Sequence, residues 1–276
     1  MFINFYRILS AVSLDVVAGA CILCAFISSY VGVELTLIPM LGLAISLWVI
    51  YTTDHLIDAK KINHSASTFR HRFHQKHFKA ILCAVIMVGL VGICIIPFIP
   101  RPTFIAGVII ALIVLIYFLV LGYTRNRLFY YFKDITVALV YTAGVFVVPL
   151  TAGDERPDFG VYFLFFQISL LALSNLLVFS LFEIKQDQQD GHASLGRLLG
   201  PQRTQNLSWI ALLSSLVFIL LALIFFKGWL EIQMNILIMN VILMFVLKFK
   251  DTFLENDGYR LIGDGIFLIP IFSLLL

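Results

Sequence analysis

Two acidic pairs are the residues most able to do chemistry. Tyr51 to Asp58 reads YTTDHLID and closes a long apolar run with Asp54 and Asp58 four residues apart; Glu183 and Asp187 repeat the spacing at the end of another apolar run. On a helix such residues share one face with about 5–6 Å between β-carbons, so each pair sets two like charges side by side. A hard divalent cation such as Mg²⁺ relieves that repulsion, because it takes oxygen ligands and keeps one or two carboxylates plus substrate phosphates in its shell. If the pairs face each other, two metals could hold a diphosphate between them. The following loops supply counter-charge, Lys60, Lys61, Arg70 and Arg72 first, then Arg125, Arg127 and Lys133. Such cations act electrostatically on a diphosphate leaving group as charge develops on it. The plainer alternative is that each pair is a solvated turn at a span end and that the basic residues are membrane-surface anchors.

The elements that must position these groups are membrane helices. Of the 276 residues 61% are hydrophobic and only 13% charged, and the mean hydropathy of +1.00 excludes a soluble globular domain. Nothing supports nucleic-acid binding. The apolar runs are long enough to cross a hydrocarbon core of about 30 Å, and no ten-residue alternation suggests a barrel. The pattern predicts an all-α polytopic bundle of nine transmembrane helices, over 9–29, 35–53, 79–98, 103–121, 134–151, 159–182, 205–226, 229–247 and 259–276. The acidic pairs then end the second and sixth helices, which suggests two four-helix pseudo-repeats plus one helix, in one domain over 1–276. Of the 19 Lys and Arg residues, all but Arg101, Arg156 and Lys227 fall on the side of the longer loops. The positive-inside rule therefore makes the N-terminus and both acidic pairs cytoplasmic, in an integral membrane protein (of the inner membrane in a bacterial cell). The first apolar run reads as a retained span, and Cys21, Cys24, Cys83 and Cys94 as packing residues inside spans.

TTDHLID with the following AKKIN, Ala59 to Asn63, resembles the first aspartate motif of the UbiA superfamily of intramembrane prenyltransferases. FEIKQDQQDGHASLGRLLG, Phe182 to Gly200, is similar to its second: Glu183, Asp187, Gly191, Ser194-Leu195 and Leu199-Gly200 fall at its spacing. Tyr123 to Lys133 is similar to the family's tyrosine and lysine ahead of the fifth helix. The resemblance implies a central cavity open to the bilayer that binds Mg²⁺ and an isoprenyl diphosphate, with transfer of the prenyl group to an aromatic or other lipophilic acceptor. It makes Asp54, Asp58, Glu183 and Asp187 metal ligands and puts Lys133 and one of Arg70 or Arg72 on the diphosphate; catalysis is then expected of Asp54, Asp58, Asp187 and Lys133, with Arg70, Arg72, Tyr123 and Arg125 as candidate substrate contacts. Ile50 and Tyr51 stand where the first motif usually has polar ligands, and Glu183 replaces an aspartate. A terpene cyclase on the same scaffold, or a transport or non-catalytic protein, are the alternatives.

Asn175, Phe179 and Glu183 at i, i+4 and i+8 predict a cavity wall, with Asn175 either facing substrate or bonding between helices. The loop TFRHRFHQKH, Thr68 to His77, predicts a basic cap with Phe69, Phe73 and Phe78 packed on the helices, Arg70 and Arg72 toward the phosphate and solvated histidines. A histidine-box oxygenase is the sharper alternative. Asp15 and Asp264 are deeper carboxylates without an assigned partner, Asp264 between two glycines where a helix could break.

Overall fold

The computed structural model describes residues 2–275 apart from 124–126, 154–156 and Ala193, and the side chains of 2–5, 121–131 and Asn256 also lie outside the described part. Charge and backbone irregularity decide where the apolar runs become separate helices. The expected first span is two helices, α1 (Phe2–Ala11) and α2 (Leu14–Val31), because Ser13 adopts the left-handed conformation at φ 59°. α1 is held at the polar end of the bundle by Arg7, whose guanidinium meets Asp257 at 2.8 Å and lies over the Phe69 ring. α3 (Leu37–Lys61) runs two turns past its expected end. No breaker occurs before Asn63, and Lys60 and Lys61 suit the negative end of the helix dipole. Asp54 and Asp58 thus lie within a helix rather than just after one.

A short helix follows, α4 (Phe69–Lys76), capped by the Thr68 hydroxyl, which accepts the His71 amide. The apolar hairpin of α5 (Phe78–Ile95) and α6 (Arg101–Tyr123) turns most of its surface outward, as lipid-facing helices do. α7 (Arg127–Thr151) then leads to α8 (Phe159–Phe182), the central post of the molecule. Apolar on every side, α8 is buried on nearly every side, packed on α7, on α11 (Pro201–Phe225), on α12 (Leu230–Lys248) and on the final helices. Between α8 and α11 lie two short helices, α9 (Ile184–Asp190) and α10 (Leu195–Leu199).

After α13 (Lys250–Leu254), the expected ninth helix is broken. α14 (Gly258–Gly265) gives way to a 3-10 turn over 266–268 and then, past Pro270, to α15 (Ile271–Leu274). The break falls beside Asp264, where the glycines predicted it. The protein is an all-helical multi-pass bundle: among the described residues eight helices are long and apolar enough to span a membrane, with the broken ninth segment beside them. Spans two and six, α3 and α8, each lead into short helices before the next span; α3 carries the first acidic pair, and α8 ends at Glu183, the first member of the second. Polar pairs stitch the interior: Gln167 on α8 and Gln233 on α12 bond reciprocally at 2.8 and 3.1 Å, and Asn240 donates to the Leu212 carbonyl at 3.2 Å.

Two glycines allow close approach around α8. A β-carbon at Gly196 would lie 2.1 Å from the Ser180 carbonyl oxygen, and the Gly196 amide donates to the Ser180 hydroxyl at 2.7 Å. One at Gly263 would lie 2.5 Å from Asn175 Oδ1 and 2.4 Å from the Phe179 ring. These contacts bring α10 and α14 against α8, the helix that ends at Glu183.

Candidate functional site

At the end of the bundle where α3, α4, α9 and α14 converge, a cavity of about 430 Å³ receives both acidic pairs. Asp54 and Asp58 project from α3, while Glu183 ends α8 and Asp187 stands on the first turn of α9. The two pairs differ in geometry. The first lies on one continuous helix, whereas the chain bends at Glu183 (φ −95°, ψ 4°) between the members of the second.

Cations surround the carboxylates. Lys133, near the start of α7, lines the cavity within electrostatic reach of Asp54 and Asp58, and the Lys61 amine is 3.4 Å from Asp58. Arg70 reaches in from α4, contacting His55 Nε2 at 3.1 Å and Asp264 Oδ2 at 3.7 Å. Asp15, the other deep carboxylate, lies 3.2 Å from the Tyr6 hydroxyl. Arg260 on α14 pairs with Glu183, which also accepts a hydrogen bond from Tyr259 at 2.9 Å. Tyr259 stacks on Phe182 at 4.5 Å, so Glu183 is braced from two sides.

The protein's own groups leave several polar atoms in the cavity wall unsatisfied. Asp54 Oδ1, Asp134 Oδ2 and Asn175 Oδ1 are shut off from solvent without hydrogen-bond partners. A buried acceptor left unpaired costs about 1–3 kcal/mol, and a cation is the ligand that satisfies carboxylate oxygens best. The donor set fits Mg²⁺, which takes oxygen ligands. Burial, and then the neighbouring Glu183, push the Asp187 carboxyl up to about 7, as expected for a carboxylate awaiting a counter-charge. The rest of the lining is largely apolar and aromatic, with Tyr51, Tyr117, Phe118, Tyr141, Phe179 and Phe267.

Asp54, Asp58, Glu183, Asp187, Lys133, Arg70 and Asn175 therefore share one cavity. Arg72 does not line it. Its guanidinium donates to the Ala66 and Ser67 carbonyls at 2.8 and 2.7 Å, bracing the loop between α3 and α4. The Tyr123 side chain and Arg125 lie outside the described residues. The histidines of the α4 segment are not the solvated set expected from the sequence: His74 is fully buried, with Nδ1 3.0 Å from the Arg70 carbonyl, and His71 lines the cavity. Burial drives the His71 imidazole down to about 3.

Sequence reasoning missed His55, Asp134, Asp190, His192 and Arg260. Asp134 is the neighbour of Lys133, and Asp190-Gly191-His192 directly follows the second acidic pair, so adjacency was a usable signal for these. Arg260 lies some seventy residues beyond Glu183 and offered no local signal.

The fold and the cavity define a class: an intramembrane helical bundle whose aspartate-lined pocket opens at one end of the spans. Comparison with solved structures finds the same fold in known proteins. A UbiA homologue from Archaeoglobus fulgidus bound to DMAPP and Mg²⁺ superposes with a TM-score of 0.63 at 10% identity, covering 97% of this chain and 99% of that one. The same homologue bound to GPP and Mg²⁺ gives 0.62 at 11% identity over 96% and 100%. The apo UbiA homologue from Aeropyrum pernix K1 gives 0.68 at 12% identity over 95% and 98%. No family model and no curated protein matches by sequence. The chain has the UbiA fold from end to end.

Proposed function

We propose that this protein is a membrane prenyltransferase that ionises an isoprenyl diphosphate and passes the allylic group to a lipophilic, aromatic acceptor. One observation carries the reading: two acidic pairs, distant in sequence and on different helices, meet with Lys133 and Arg70 in a cavity whose remaining wall is largely apolar and aromatic. Such a lining offers partners to both a diphosphate head and a hydrocarbon tail. The UbiA homologue bound to DMAPP and Mg²⁺ supports the same ligand class and cofactor here.

Asp54, Asp58 and Asp187 are the residues to hold Mg²⁺, with Glu183 behind them and clamped by Arg260. A Mg²⁺ ion held there would supply positive charge that neutralises the diphosphate and improves it as a leaving group. Lys133 and Arg70 take the remaining anionic charge as the carbon–oxygen bond breaks and its electron pair leaves with the diphosphate. Tyr51, Tyr117 and Phe118 line the cavity, and an aromatic ring whose face meets the allylic cation would stabilise it by about 0.5–2 kcal/mol. The acceptor's nucleophilic carbon or oxygen then forms the new bond, and the proton it loses passes to the released diphosphate or to water. The basic loops argue that this end of the bundle faces the cytoplasm.

The test is diphosphate release by purified protein in lipid nanodiscs, with isoprenyl diphosphates of increasing length, Mg²⁺ and a phenolic acceptor. Acceptor-dependent release of diphosphate with a prenylated product supports the transferase. Acceptor-independent hydrocarbon would indicate a cyclase, and no release or binding would point to a non-catalytic or transport role.

A further inference from the structure

A second cluster lies beside the acidic pairs and contains none of them. His71 on α4, Asp190 at the end of α9 and His192 just beyond it each offer one ligand atom, and the three atoms lie within 4.8 Å of one another. The His71 and His192 rings have centroids 5.2 Å apart. His71 Nδ1 and His192 Nε2 are closed to solvent and have no hydrogen-bond partner, so each ring carries a nitrogen that the protein alone does not satisfy.

The surroundings hold these side chains as an outer shell holds metal ligands. The Ser67 amide donates to both Asp190 oxygens, at 3.0 and 3.1 Å, and the half-exposed His64 ring lies 3.3 Å from one of them. Those contacts orient the carboxylate and leave lone pairs directed elsewhere. Arg197 donates to the His192 carbonyl at 3.0 Å, and Gln75 anchors the loop before α4 through contacts with the Ala66 amide and the His64 carbonyl at 3.0 and 2.9 Å. Around one ion with bonds of about 2.0–2.1 Å the ligand atoms would sit about 3.3 Å apart, a closure of up to about 1.5 Å that side-chain rotation supplies.

We propose that His71, Asp190 and His192 form a transition-metal site, taking Zn²⁺ or an ion of like chemistry, which clasps α4 to the turn between α9 and α10. Two imidazole nitrogens and one carboxylate select against Mg²⁺, which prefers oxygen and water, and favour a borderline ion. The ion would join the segment after the first acidic pair to the segment after the second, where Ser67 already bonds to Asp190 and to the Gln186 carbonyl. With three protein ligands on the cavity wall, one coordination position faces inward. The site stands independently of the prenyl diphosphate reading, because its metal binds without substrate.

The experiment is titration of chelator-stripped, detergent-solubilised protein with Zn²⁺ in excess Mg²⁺, in wild type and in the variants His71→Ala, His192→Ala and His77→Ala. The expected result is one Zn²⁺ per chain, bound at least about tenfold more weakly in the first two variants and unchanged in the third, which alters an exposed ring outside the cluster. Anomalous scattering at the zinc edge from the unmodified protein guards against misfolded variants, and should place the ion in contact with all three side chains. Zn²⁺ binding that survives in both His71→Ala and His192→Ala, that Mg²⁺ displaces, or that maps elsewhere in the anomalous signal, would overturn the proposal.

Discussion

Arg260 and Glu183 form an ion pair between α14 and the end of α8, and Tyr259 donates to the same carboxylate at 2.9 Å. The residue that the second motif offers as a metal ligand thus already has a fixed cation. Its longer side chain, compared with the usual aspartate, reaches the guanidinium while Asp187 remains beside the cavity. The final, broken helix is in this way part of the site.

Removing one partner of that pair leaves a largely buried charge uncompensated, at a cost of about 3–5 kcal/mol. Arg260→Gln should therefore lower the thermal midpoint substantially, and so should Glu183→Gln. The double variant should lose clearly less than the sum of the two. A double-mutant cycle by thermal unfolding in detergent measures this, and additive losses would show that the pair is not coupled.

Asp54→Ala and Asp187→Ala should each abolish Mg²⁺-dependent binding of an isoprenyl diphosphate, whereas Asp251→Ala, on exposed α13, should leave it intact. Lys133→Ala should cost about 10²-fold or more in turnover, as loss of one electrostatic partner of a leaving group does. Equilibrium binding and single-turnover assays separate the two effects. Full activity in Asp54→Ala would remove the first acidic pair from the site.

The Asp187 carboxyl, raised to about 7 by burial and by Glu183, sets a pH dependence. Its folded value lies above the unfolded one near 3.9, so in metal-free protein its contribution to stability is present at low pH and lost as pH rises through about 7. Mg²⁺ requires the ionised form. The increase in melting temperature on adding Mg²⁺ should therefore be small at pH 6 and larger at pH 8, and Asp187→Asn should remove the difference. The increment is the quantity to measure, because His71, lowered to about 3, makes stability rise with pH between about 3 and 6.5.

Gly196→Ala should displace α10 from α8, since the new methyl would meet the Ser180 carbonyl at 2.1 Å. Overpacking of this kind costs about 1–3 kcal/mol. Diphosphate binding should weaken as well, because the displaced helix follows the second acidic pair. Thermal unfolding reads the first effect and a binding titration the second. An unchanged melting temperature would mean that α10 does not depend on this contact.

The sequence by itself determined the class of fold and the main acidic groups. Apolar runs of membrane-spanning length allow only a helical bundle, and charges are so scarce among them that Asp54, Asp58, Glu183 and Asp187 stand out. Local spacing also marked Asp264 between its glycines and the break that follows. Tertiary structure decided what spacing cannot carry. Arg70 and Arg72 are two residues apart, yet one enters the cavity and the other caps backbone carbonyls, because helical geometry turns them to different faces. Arg260 meets Glu183, and His71 meets Asp190 and His192, only because α4, α9 and α14 dock against the ends of α3 and α8. Contacts between residues so distant in the chain depend on how the helices pack, and that packing leaves no period in the sequence.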